Sequence, residues 1–188
     1  MSDKQLKVAL CGKLRSGKDS VGRLFVASGF HRFAFGDKIK EVITVLFPGE
    51  TLHSKRRRVM QGVGQSLRHY DADIWVNTVL REIEAQGCSR ADIIITDLRQ
   101  PNEYRQMKAD GYIFVRVAAS EEIRIQRAID KGDDFNIDDM HHETESHVEG
   151  FMVDYTISND GTPEELERQT MELLHELRRG ASSEGITT

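Results

Sequence analysis
The most constraining feature of this chain lies close to its start. Val8-Ala9-Leu10-Cys11 is a short apolar run that leads directly into Gly12-Lys13-Leu14-Arg15-Ser16-Gly17-Lys18-Asp19-Ser20. A helix-period pattern then covers Lys18–Ala27. A G-x-x-x-x-G-K segment set between a strand and a helix is a phosphate-binding loop. Its backbone N–H groups wrap a phosphate, and the helix N-terminus behind them adds partial positive charge. Lys18 can reach the β- and γ-phosphates of a nucleotide. The candidate nucleotide-binding residues are therefore Gly12, Lys13, Arg15, Ser16, Gly17, Lys18, Asp19 and Ser20. The residue after the lysine is Asp19, where a hydroxyl commonly binds Mg²⁺. Asp19 can take that ion through a carboxylate oxygen or a water, and Ser20 is the second candidate.

Four further apolar runs have strand length: Arg32–Phe35, Ile93–Thr96, Ile113–Ala118 and Tyr155–Ile157. Between the strands lie helix-period stretches over Lys38–Phe47, Arg56–Leu67, Ile74–Ala85, Asn102–Ala109, Glu121–Ile129 and Pro163–Arg178. Short apolar strands alternating with helices indicate an α/β chain whose parallel sheet is covered on both faces. Thr162-Pro163 with Glu165 forms a capping-box pattern at the start of the last helix. A length of 188 residues fits one domain over 1–180, and the small polar stretch from Gly180 predicts a flexible tail at 181–188.

Charge and composition narrow the partners. Lys and Arg total 26 against 31 Asp and Glu, a formal charge of −5, which argues against binding nucleic acid or an anionic membrane by bulk charge. No apolar run approaches the roughly 18 residues of a membrane span. The start is too short in apolar residues for a secretory signal, and two cysteines, Cys11 and Cys88, form no disulfide framework. The expectation is a cytoplasmic protein with reduced thiols.

The strand Asp92-Ile93-Ile94-Ile95-Thr96-Asp97 ends in a carboxylate. Beside a phosphate loop, Asp97 can hold a Mg²⁺-bound water. Leu98-Arg99 follows, where an ATP-hydrolysing motor would carry a Glu to activate water. An arginine there neutralises phosphate and favours transfer to a second substrate. Arg15, Arg68, Arg99, Arg124 and Arg127 fall near the ligand-facing ends of elements, and Arg124 and Arg127 share one helix face. Lys55-Arg56-Arg57-Arg58 reads as a solvated helix end. His141-His142-Glu143-Thr144-Glu145-Ser146-His147 lacks H-E-x-x-H spacing and reads as a solvated, lid-associated segment. Cys11 reads as a small buried residue.

Taken together, these residues resemble the phosphate-loop nucleoside monophosphate kinase superfamily, closest to phage-type deoxynucleoside monophosphate kinases and adenylate-kinase-related proteins. The similarity is carried by Gly-Lys-Asp in the loop, Phe33-Ala34-Phe35-Gly36-Asp37, and Gln61-Gly62-Val63-Gly64-Gln65 with Arg68 and Asp73-Ile74-Trp75-Val76. Thr96-Asp97-Leu98-Arg99-Gln100-Pro101-Asn102-Glu103 and Ile157-Ser158-Asn159-Asp160-Gly161-Thr162 extend it over about residues 7 to 165. The resemblance implies a three-layer α/β/α phosphate-loop NTPase fold with a five-stranded parallel sheet, an acceptor-binding helical insertion at about 37–87 and a lid at about 120–148. It implies that Lys18 binds the phosphates being transferred and that Asp37, Arg68 and Arg99 lie near the acceptor. Arg124 and Arg127 would come from the lid, while Asn159 and Gly161 would lie against the ATP base through the backbone. With Lys18, Arg99, Arg124 and Arg127 as catalytic residues and Asp19 and Asp97 as metal residues, the implied activity is phosphoryl transfer from ATP, with Mg²⁺, to a nucleoside monophosphate, a deoxynucleoside monophosphate being the favoured acceptor. Alternatives are a kinase of dephospho-coenzyme A or phosphomevalonate, or a non-catalytic nucleotide-binding regulator. Partners are ATP and a small phosphorylated acceptor, for a monomer or homodimer.

Overall fold
The computed structural model describes residues 5–47, 56–131 and 147–183. Lys55 and the 132–146 part of the lid expected at about 120–148, His141–Ser146 included, lie outside the described residues. The strands are β1 (Lys7–Cys11), β2 (His31–Phe33), β3 (Ile93–Leu98), β4 (Ile113–Ala118) and β5 (Tyr155–Ser158). The helices are α1 (Lys18–Ala27), α2 (Phe35–Leu46), α3 (Arg56–Tyr70), α4 (Ile74–Ala85), α5 (Pro101–Ala109), α6 (Glu121–Asp130) and α7 (Pro163–Ser183). A short 3₁₀ turn at Cys88–Arg90 precedes β3. Every strand pairing is parallel, in the order β2-β3-β1-β4-β5.

The alternation of side chains along β1 divides the interior in two. Ala9 and Cys11 join Ile93 and Ile95 under α2, α4 and α5, with Trp75, Val79 and Met107. Val8 and Leu10 join Ile94 on the opposite face, under Phe25 of α1 and Leu173 and Leu174 of α7. Period two along a strand sends neighbours to opposite faces, so a strand apolar at every position needs helices on both sides. This is the expected three-layer α/β/α fold. Among the described residues no helix is long and apolar enough to cross a membrane.

Several boundaries differ from the sequence reading for local physical reasons. The strand expected over Arg32–Phe35 stops at Phe33, and α2 begins at Phe35 rather than Lys38. Its first N–H groups need an acceptor, and Ala34 at the N-cap supplies no side chain for the purpose. Asp97 of β3 supplies both oxygens instead, Oδ1 to the Phe35 N–H at 2.9 Å and Oδ2 to the Gly36 N–H at 2.7 Å. The last helix continues through Ser183, because Ala181 packs against the core formed by β1, α1 and α7. The tail expected at 181–188 therefore starts as helix, and residues 184–188 lie outside the described ones. The capping box forms as expected: Glu165 Oε2 accepts the Thr162 N–H at 2.9 Å, and Thr162 Oγ1 accepts the Glu165 N–H at 3.3 Å. At the β5 edge, the Gln169 amide donates to the Ser158 carbonyl at 2.9 Å and accepts its N–H at 3.2 Å.

Candidate active site
The loop between β1 and α1 is shaped by two glycines. Gly12 has φ +152°, and a Cβ there would stand 2.4 Å from the Val117 carbonyl oxygen. Gly17 caps α1 at φ +100°, where a Cβ would meet Asn159 Nδ2 at 2.1 Å. Neither position admits a side chain without movement. Within the loop, the Ser16 N–H donates to the Lys13 carbonyl at 3.1 Å and the Ser20 N–H to the Gly17 carbonyl at 2.9 Å. Lys18 is buried, and its Nζ donates to the Gly12 and Lys13 carbonyls. Ser16 Oγ is buried with no hydrogen-bond partner among the described residues. An orphaned hydroxyl inside a loop of this shape fits an incoming phosphate oxygen.

Two elements distant in sequence brace this loop. From α6, Arg124 donates to the Leu14 carbonyl and Arg127 to the Arg15 carbonyl, each at 3.5 Å. From the turn after β5, Asn159 Nδ2 donates to the Ser16 carbonyl at 2.7 Å. Arg127 also donates to Asn159, at 2.9 Å to its carbonyl and 3.3 Å to Oδ1. Three consecutive loop carbonyls, those of Leu14, Arg15 and Ser16, are thus held from outside the loop. Arg124 and Arg127 sit on α6 beside the loop, and Arg124 is buried. Asn159 has a task beyond the expected backbone contact, since its side chain carries the brace. Gly161 lies directly beneath the Glu165 carboxylate of the capping box. Lys13 pairs with Glu149, and that ion pair holds the Glu149 carboxyl below its ordinary range.

A second cluster of charge occupies the C-terminal end of β3, next to the end of β1, where Cys11 registers with Leu98. Burial pushes the Asp97 carboxyl up, against the two N–H groups of α2 that stabilise its charge. Glu103, in the first turn of α5, is buried more deeply still. Its Oε2 accepts the N–H groups of Arg99 and Gln100, both at 2.9 Å, and its Oε1 accepts Arg68 Nη2 at 3.1 Å. Burial raises this carboxyl, and the charge of Asp97 adds to the effect. Asp37 accepts Arg32 Nη1 at 2.7 Å and Lys40 Nζ at 2.6 Å. Burial acts to raise the Asp37 carboxyl, but these partners outweigh it and leave it lowered. Asn102 Nδ2 ties α5 to the turn before α4, donating to the Ala72 carbonyl at 2.8 Å and Asp73 Oδ1 at 2.9 Å.

The expected residues thus gather into two adjoining sets. Gly12 to Ser20, Arg124, Arg127 and Asn159 surround the loop, while Asp37, Arg68, Asp97 and Arg99 lie about the end of β3. Sequence reasoning quoted Asn102 and Glu103 within the Thr96–Glu103 motif but gave them no role, and it did not single out Arg116 or Glu149. Gln100-Pro101 with Glu103 carries a capping-box spacing that could have flagged Glu103. Arg116 is a charge inside an otherwise apolar strand, and it donates to the carbonyls of Val148, Glu149 and Phe151. It thereby anchors residues 148–151 near the sheet end. Cys11 is buried as expected, and burial raises its thiol against the opposing charge of Arg116.

For a metal, the described residues offer no ready-made group of His, Cys, Asp or Glu ligands. Magnesium carried on substrate phosphates needs only one or two carboxylates and keeps several waters. Asp19, exposed on the first turn of α1, fits that pattern. Asp97 has spent one lone pair of each oxygen on α2, so it fits a metal-bound water better than the ion itself.

The deoxynucleotide monophosphate kinase family model matches residues 49–170. No curated protein sequence matches the chain. Among solved structures, a sugar kinase from Janibacter sp. HTCC2649 is similar at TM-score 0.57 and 16% identity, over 91% of this chain and 95% of that one. A gluconokinase from Sinorhizobium meliloti 1021 gives TM-score 0.57 and 16% identity, over 95% and 97%. The dephospho-CoA kinase from Campylobacter jejuni gives 0.53 and 12%, over 92% and 97%. At such identities these likenesses speak to the fold alone. The family match, by contrast, covers more than half of the chain, including Arg68, Asp97, Arg99 and Glu103, and on that ground the chain belongs to the deoxynucleotide monophosphate kinase family and is a phosphate-loop kinase.

Proposed function
We propose that this kinase transfers the γ-phosphoryl group of ATP to a deoxynucleoside monophosphate, giving the diphosphate and ADP. The observation that carries the reading is the juxtaposition of two cationic sites at the ends of neighbouring strands. The braced phosphate loop ends β1, and Arg68 and Arg99 lie about the end of β3. A donor phosphate in the first and an acceptor phosphate in the second would face each other across that boundary. An oxygen of the acceptor phosphate attacks the γ-phosphorus, and ADP leaves from the opposite side.

Transfer of this kind needs positioning and charge neutralisation and no nucleophilic side chain. In this reading Lys18 holds the transferred phosphates, and the backbone of Gly12 to Ser20 cradles the nucleotide. Arg124 and Arg127 keep the loop in shape and lend positive charge beside it. Asn159 and Gly161 complete the ATP side of the site. Asp37, Arg68 and Arg99 receive the acceptor. Magnesium, bound with ATP, would supply further charge neutralisation, with Asp19 toward the ion and Asp97 toward one of its waters.

The test is ADP formation from ATP in the presence of each deoxynucleoside and ribonucleoside monophosphate, with dephospho-coenzyme A and phosphomevalonate alongside. Stimulation by one or more deoxynucleoside monophosphates is the expected result. Stimulation by dephospho-coenzyme A or phosphomevalonate alone would move the acceptor class. An ADP rate indifferent to every acceptor would remove the transfer reading altogether.

A further inference from the structure
We propose that Glu103 is the positioning residue that presents Arg68 to the phosphate of the acceptor, an inference that rests on the acceptor reading above. Glu103 is 1% exposed, and a carboxylate at that depth persists only if its oxygens are hydrogen-bonded. The backbone of Arg99 and Gln100 fixes one oxygen, which sets the plane of the group. The other oxygen faces α3 and takes a single N–H of Arg68. Arg68 lies in the last turn of α3, and its side chain keeps 18% exposure. A guanidinium carries five N–H donors, so the bond to Glu103 fixes the fork and leaves donors for phosphate oxygens.

The neighbouring groups leave this role to Glu103. Asp97, the half-buried carboxylate beside it, has both oxygens on the N–H groups of α2. Asp37 is held by Arg32 and Lys40. The same Glu103 carboxylate also fixes the backbone of Arg99, so one side chain sets the place of both arginines proposed to receive the acceptor. The helix that carries Arg68 is itself pinned to its surroundings. Trp75 Nε1 donates to the Gly64 carbonyl at 3.1 Å, one turn before Arg68. An arginine already held in its binding geometry gives up less freedom when the phosphate arrives.

Glu103→Gln separates the two tasks of this residue. The amide keeps one oxygen for the N–H groups of Arg99 and Gln100, and it turns an N–H₂ toward Arg68. The expected result is a rise of about tenfold or more in acceptor KM, with ATP KM changed by less than about twofold. Arg68→Ala should reproduce the acceptor defect. Glu103→Gln added to Arg68→Ala should then change acceptor KM by less than about twofold, because the residue acts through Arg68. Fluorescence of Trp75, the single tryptophan of the chain, reads acceptor binding at α3 without turnover. An unchanged acceptor KM in Glu103→Gln overturns the inference, and so does a full effect of Glu103→Gln in the Arg68→Ala background. In both cases wild-type turnover leaves the acceptor reading standing. A wild-type chain that phosphorylates no monophosphate refutes that reading and this inference with it. Should Glu103→Gln fail to fold, Arg68→Lys decides: a point ammonium cannot bridge Glu103 and a phosphate as a fork does, so acceptor KM rises about tenfold, and an unchanged value overturns the proposal.

Discussion

Gly17→Ala tests the braced loop at its tightest point. The backbone there holds φ at +100°, and a residue with a Cβ loses about 1–2 kcal/mol in that conformation. The new Cβ would also stand 2.1 Å from Asn159 Nδ2. That nitrogen donates to the Ser16 carbonyl at 2.7 Å in a buried setting, so the amide must swing away and the bond is lost. Unmaking a buried hydrogen bond costs about 1–3 kcal/mol, which brings the total to about 2–5 kcal/mol. Gly29 provides an internal control, because it has φ +98° and nothing within 4 Å of its would-be Cβ. Gly29→Ala should lose the backbone part alone, about 1–2 kcal/mol. Urea unfolding of both variants measures the difference. A cycle with Asn159→Ala isolates the contact, and the expected coupling is about 1–3 kcal/mol. Equal losses at Gly17 and Gly29, or a Gly17→Ala cost that ignores Asn159→Ala, would refute the steric argument.

Other outcomes follow from single side chains. Lys18→Ala should lower phosphoryl transfer on the order of 10³-fold in a protein that still folds, read by coupled ADP release. Asp19→Ala should raise the Mg²⁺ concentration needed for half-maximal rate, and a metal titration of both proteins checks it. Asp97→Asn keeps one acceptor oxygen for two N–H groups of α2, so urea unfolding should show a loss of about 2–3 kcal/mol. Burial, with the nearby Asp110 charge, holds the Tyr112 phenol well above its ordinary value of 10.0. The folded chain then keeps this proton while the unfolded chain releases it, so stability falls as pH rises above 10.0, by up to about 1.4 kcal/mol per unit. Tyr112→Phe should flatten that part of the slope, as unfolding at about pH 9 and 11 will show.

What the sequence disclosed was local. The phosphate loop, the strand before it and the helix after it depend on neighbouring residues, and so does the Thr162-Glu165 capping box. The start of α2 was not visible, because the acceptor for the Phe35 N–H lies 62 positions away on Asp97. With no capping side chain at Ala34, the apolar run through Phe35 looked like more strand. The link between Asn159 and Ser16 spans 143 positions, and nothing near either residue announces it. Glu103 showed its local half, the spacing that caps α5, but its ion pair with Arg68 depends on how α3 is laid against the sheet. The end of α7 was misjudged from small residues, since Gly180 and Ala181 suggest fraying until Ala181 is seen to pack on the core.

The strand order also shapes how the chain must assemble during its own synthesis. β1 lies at the centre of the sheet, flanked by β3 and β4, yet it is the first strand to be made. Asp92, which accepts the Leu6 N–H on the approach to β1, lies 86 positions further on. At about 5–20 residues per second, a ribosome takes roughly 4 to 17 s to deliver that partner. Through that interval Val8, Ala9, Leu10 and Cys11, all fully buried in the finished molecule, have no sheet to join. Only α1, β2 and the α2–α4 segment can shelter them, as a provisional helical collapse. Central strands made first and paired late form slowly and leave sticky surface exposed meanwhile. Recovery of this protein should therefore respond to a slower translation rate or a lower growth temperature more than its native stability alone would indicate.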